Sequence, residues 1–102
     1  MYLLNILKEI KDENLTRGAL EQYEQKLSGL YAEMMIEIGA LKKERPLFFL
    51  ERTKPDVSDV SIRRMWDAIP DGQRLIEQEA NVKAVSKMLG SIKSRIYQTA
   101  NY

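Results

Sequence analysis

Nine basic side chains in two short stretches are the residues of this chain best suited to chemistry. Lys42, Lys43, Arg45, Arg52 and Lys54 fall within residues 42–54 against Glu44 and Glu51 alone, a net charge of +3. Lys83, Lys87, Lys93 and Arg95 fall within residues 81–102, where there is no acid, a net charge of +4. Residues 1–41, with 4 basic and 7 acidic side chains, and residues 55–80, with 3 and 6, each carry a net charge of −3. The overall +1 therefore conceals a segregated pattern. Lys83 and Lys87, four apart, share a helix face, and Lys93 and Arg95 belong to later turns. A row of cations without acids to pair with is a track for a polyanion. Phe48, Phe49, Tyr97 and Tyr102 lie close to these cations in sequence. Basic residues interleaved with aromatics suit single-stranded nucleic acid, because charges follow phosphates while rings stack on bases. Ser91 and Ser94 add hydroxyl donors for phosphate oxygens. The competing reading is a solvated face, since lysines near a helix C-terminus are favoured by the macrodipole. Phe48 and Phe49 equally fit a core or an interface.

Other constellations point less far. Arg63 and Arg64 flank Met65 and Trp66. A guanidinium over an exposed indole would sandwich a base. The plainer alternative makes Trp66 a core anchor and pairs the arginines with Asp59 and Asp67. Glu33 and Glu37, four apart, resemble half of a carboxylate metal site, but there is no histidine to complete one. The chain has neither histidine nor cysteine, which removes the commonest general base, the commonest metal ligand and any thiol nucleophile. The 5 glycines are far apart, so no phosphate-cradling loop is present. No catalytic residues, metal or cofactor are expected, and the chain is not expected to be an enzyme.

These side chains must be carried by helices, because no segment shows strand alternation. One domain is expected over residues 1–102, with a short N-terminal helix or arm in 1–15. A long helix follows in 16–45, capped by Thr16. Its apolar residues Leu20, Tyr23, Leu27, Leu30, Met34, Ile38 and Leu41 lie three and four apart, close to a heptad stripe. Pro46 should end or kink this helix. Residues 46–72 form a kinked joint with a short helix starting near Ser58, and the adjacent Leu47, Phe48, Phe49 and Leu50 cannot all face one side. Pro70 either makes a turn or opens the last helix. That helix, 73–98, again carries heptad spacing from Val82 to Ile96. The fold expected is all-α, an elongated antiparallel hairpin of two long helices with Leu27, Leu30, Met34, Val85, Leu89 and Ile92 buried between them. The exposed apolar residues predict a homo-oligomer with Leu3, Leu4, Ile6 and Leu7 or the Pro46 joint at the interface.

KKERPLFFLER (42–52) after a long helix, SDVSIRRMWDA (58–68) and KAVSKMLGSIKSR (83–95) together resemble the UvsY-type recombination mediators of T-even phages. The resemblance covers roughly Tyr23 to Ile96. It implies a ring-like oligomer that binds single-stranded DNA and helps to load a recombinase; the partners expected are single-stranded DNA and a recombinase or replication protein. The alternative expectation is a helical protein-interaction module without nucleic acid, such as an adaptor, a virion or assembly component, or a small inhibitor of a host system. The heptads and the acidic blocks favour that reading. No signal peptide or membrane span is expected, so the expected location is cytoplasmic, that of the host if the protein is viral.

Overall fold

The structure is a computed structural model that describes residues 2–12 and 14–100. It is all-α: α1 (Tyr2–Ile10), α2 (Arg17–Arg52), α3 (Asp59–Ala68) and α4 (Pro70–Ala100), with no strand among the described residues. None of these helices is long and apolar enough to cross a membrane. The chain divides into two compact units, Met1–Glu33 with Val82–Tyr102, and Met34–Asn81.

In the first unit, Thr16 caps α2 as its hydroxyl accepts from the Ala19 N–H at 3.1 Å. Ile6, Ile10, Leu20, Leu27, Val85, Met88 and Ile92 are buried. Of the residues expected in this core, Leu30 and Leu89 are only half-buried, and Met88 occupies the interior beside Val85 and Ile92. Two long-range contacts tie α1 down. The Tyr23 hydroxyl donates to Glu9 at 2.8 Å, and Arg95 donates to the carbonyls of Ile10 and Asp12 at the end of α1. The hydrogen bond to Glu9 is the main reason the Tyr23 phenol sits above its ordinary pKa, with burial adding to it.

In the second unit, α2 does not stop at Pro46 but runs on to Arg52. An interior proline removes one helix hydrogen bond and crowds the preceding turn, at a cost of about 3 kcal/mol. The turn that follows offsets it. Phe48 is buried edge-on to Trp66, with ring centroids 5.4 Å apart, and the Arg52 guanidinium lies 3.6 Å over the Phe48 ring. Leu47 and Leu50 are left exposed, at 61% and 75%. The four adjacent apolar residues thus split between interior and surface.

Ser58 caps α3 by accepting from the Ser61 N–H at 3.2 Å. Ile62 and Trp66 are the buried residues of this helix. α3 ends at Ile69, whose extended backbone is what a following proline imposes. Pro70 is the first residue of α4, where its missing N–H costs nothing. The joint is tight: a Cβ on Gly72 would lie 1.7 Å from the Trp66 carbonyl oxygen.

α2 and α4 run antiparallel here, since Glu37 meets Arg74 and Gln78 while Glu44 meets Asp71. Gln78 is buried, at 5% exposure, but satisfied. It donates to Glu37 at 2.7 Å and accepts from Asn81 at 3.0 Å. Arg74 grips the Glu37 carboxylate through two nitrogens, at 2.5 and 3.2 Å. Such a satisfied polar layer fixes the register of two helices.

Two carboxylates of this unit have opposite pH responses. The hydrogen bond from Arg74, then that from Gln78, holds the Glu37 carboxyl below its ordinary pKa against the cost of burial. Its contribution to stability is therefore complete above the ordinary carboxylate pKa and is lost as pH falls through that range. Glu44 is displaced upward, first by a hydrogen bond to Asp71 and then by that group's charge. Its contribution is present in acid and lost as pH rises through the raised value, so the pair repels at neutral pH. At pH 7, Glu44→Gln should raise the melting temperature and Glu37→Gln should lower it. Thermal melts at pH 7 and pH 4 check this, and the Glu37→Gln deficit should shrink at the lower pH.

Candidate nucleic-acid interface

The two basic stretches fall in different units: Lys42, Lys43, Arg45, Arg52 and Lys54 in the second, Lys83, Lys87, Lys93 and Arg95 in the first. Within each unit the structure sorts them into cations with a structural task and cations without one.

In the second unit, Arg52 is committed. It stacks on Phe48, donates to the Phe48 carbonyl at 3.4 Å and lies 3.5 Å from Glu51. Lys54 is exposed in the loop after α2, and Lys43 is exposed on α2. Lys42, Arg45 and Phe49 recur at i, i+3 and i+7, so they line one flank of α2. There the Arg45 guanidinium lies 5.6 Å over the half-buried Phe49 ring. Arg63 comes from α3 to the same place: Arg45, Pro46, Phe49 and Arg63 line a hollow of about 220 Å³. Among the described residues no ion pair forms on Arg45 or Arg63. The pairing of Arg63 and Arg64 with Asp59 and Asp67 is thus not found, although Trp66 is the core anchor, at 2% exposure.

Arg45 and Arg63 both line this hollow without an ion pair among the described residues, so their charge favours an anion beside it. Arginine's planar fork also matches phosphate geometry. The hollow is smaller than the ~300 Å³ at which small-ligand pockets begin, which suits one phosphate group rather than a whole nucleotide. The Arg45 guanidinium, backed by the half-buried Phe49 ring, is an adjacent flat plane of the kind on which bases stack. Arg63 is the member that sequence reasoning did not place here. Its one signal is a basic pair with no acid at the adjacent positions, and the approach of α3 to the α2 flank is a tertiary fact.

In the first unit the cations do not form a single track. Lys83 and Lys87 are exposed on α4. Lys87 lines a groove with Lys11, Ser91 and Arg95. Lys93 lines a separate hollow of about 390 Å³ with Ser28, Tyr31 and Ser86. Arg95 has two nitrogens engaged by the Ile10 and Asp12 carbonyls, so its principal task is to close the C-terminus of α1. Tyr97 is exposed, at 70%, and Tyr102 lies outside the described residues. Glu37 is taken up by Arg74 and Gln78, and no cluster of metal-binding side chains exists among the described residues.

No family model matches the sequence, and neither a curated protein nor a solved structure matches it.

Proposed function

We propose that this protein is an oligomeric accessory factor that binds single-stranded DNA, of the kind that serves phage-type recombination or replication. The observation that carries the reading is the hollow lined by Arg45, Phe49 and Arg63, where two cations that form no ion pair among the described residues lie beside an aromatic ring, with Lys42 one turn away. Charge holds the phosphate and the flat platform holds the base, a combination independent of sequence. A recombinase or replication protein is the partner such a factor would serve, in the cytoplasm of the cell or of an infected host.

The deciding measurement is fluorescence anisotropy of a labelled oligothymidylate at rising salt. Three phosphate contacts, from Lys42, Arg45 and Arg63, should give a log–log salt slope of about −2 per protomer. No binding at low salt, or binding indifferent to salt, rejects the reading.

A helical protein-interaction module is the second reading, favoured by a different observation. Ile36, Leu47 and Leu50 are 75%, 61% and 75% exposed and share the face of α2 opposite its buried Met34, Leu41 and Phe48. An exposed apolar face of this kind would serve protein docking. Light scattering at micromolar concentration should return a multiple of 11.9 kDa, and Leu47→Lys with Leu50→Lys should reduce it. A stable mass of 11.9 kDa for the parent protein removes self-association from both readings.

A further inference from the structure

We propose that the first unit carries a binding groove for an acidic peptide segment, one that presents an apolar side chain flanked by carboxylates. The groove encloses about 480 Å³ beside α1 and α4. Leu7, Ile10 and Met88 supply its apolar surface, and Ile10 and Met88 are buried, at 6% and 7%. Lys11, Lys87 and Arg95 supply positive charge, the Ser91 hydroxyl adds a donor, and no carboxylate lines the groove among the described residues. Lys11 and Lys87 are exposed and form no ion pair among the described residues. Arg95 is held in place by the Ile10 and Asp12 carbonyls, which gives the groove a fixed positive wall.

Charge complementarity chooses the occupant. A lone carboxylate on an alkyl chain answers one cation, whereas three cations around an apolar surface match several carboxylates flanking a side chain. Nucleic acid fits less well, because the apolar lining is aliphatic or thioether and no aromatic ring lines the groove among the described residues. The proposal is independent of the nucleic-acid reading, whose hollow lies in the second unit.

The test uses the full chain and a short fluorescein-labelled peptide carrying Asp and Glu on both sides of a Leu-Phe pair. The peptide should bind, and Lys11→Glu and Lys87→Glu should each weaken it by roughly tenfold. Ser91→Trp should fill the groove and abolish binding, and its site is exposed, so the fold persists. Lys83→Glu, on the same helix but outside the groove, should bind like the parent. Circular dichroism confirms that each variant is folded. The proposal is overturned if the peptide does not bind, if a version with Ser in place of Leu-Phe binds as tightly, or if Lys83→Glu is as damaging as Lys87→Glu. It is equally overturned if an oligothymidylate displaces the peptide and Ser91→Trp blocks both, which would reassign the groove to nucleic acid.

Discussion

Alanine at position 72 should destabilise the protein severely, while the same substitution at position 39 should stabilise it. A Cβ on residue 72 would lie 1.7 Å from the Trp66 carbonyl oxygen and 2.6 Å from its carbonyl carbon. Both are backbone atoms, so no flexible side-chain tip can yield. Relief requires α3 to move away from the start of α4, and Trp66, 2% exposed, moves with it. Overpacking alone costs about 1–3 kcal/mol. Partial loss of the Trp66 packing brings the expected total to about 3 kcal/mol or more, given that deleting a buried aromatic costs ~3–5 kcal/mol. That corresponds to a fall in melting temperature of ~12 °C or more. Gly39 has nothing within 4 Å of its Cβ position and lies inside α2. Alanine there should gain about 1 kcal/mol from helix propensity. Thermal melts of the two variants read opposite signs, and a Gly72→Ala protein within ~1 kcal/mol of the parent would mean that the α3–α4 joint is looser than described.

The contrast between those glycines also measures what the sequence makes legible. Helical class is plain from the apolar periodicity, and Leu20, Leu27, Met34 and Leu41 are buried at the seven-residue spacing that the stripe implies. The stripe continues to Phe48, past Pro46. A proline's cost is local and visible in sequence, whereas the compensation, Phe48 against Trp66 and Arg52 on Phe48, joins residues that only the fold brings together. Met88 and Leu89 are three and four residues beyond Val85, and both spacings keep a helix face, so periodicity alone does not decide which is inside. The Pro70-Asp71-Gly72 run marks a joint in the sequence, but the Trp66 carbonyl that leaves no room for a Cβ at Gly72 is set by how α3 meets α4.

The candidate site is legible only in its chemistry. The charge blocks mark Arg45 and Phe49, yet Arg52 and Arg95 carry the same charge and are committed to Phe48 and to the end of α1. For Arg95 a signal exists: α1 has no glycine after Ile10 to close it, so its last carbonyls need donors from elsewhere. For Arg63 the sequence offers Trp66 and two aspartates as neighbours, all within one or two turns, and each local option competes with a contact from another helix.

Replacing Arg45 and Arg63 together with alanine should be the most damaging double change for oligonucleotide binding. Removing two phosphate contacts should flatten the log–log salt slope by about 1.4, since each contact contributes ~0.7 on a single strand. At low salt the loss should be about 100-fold, and it should be nearly the same for all sequences, because phosphates carry no base identity. Both side chains lie at least partly in solvent, so the melting temperature should hardly change. Phe49→Leu probes the other half of the site. It keeps an apolar residue in α2 but removes the ring, and base stacking on an aromatic is worth ~1–3 kcal/mol. Lys83→Ala with Lys87→Ala gives the comparison, because those lysines are exposed cations of the other unit. If the lysine pair costs more affinity than the arginine pair, phosphates follow α4 and the hollow is not their site. If neither double variant binds more weakly than the parent, the cations serve solubility, and the exposed Ile36, Leu47 and Leu50 face becomes the functional surface.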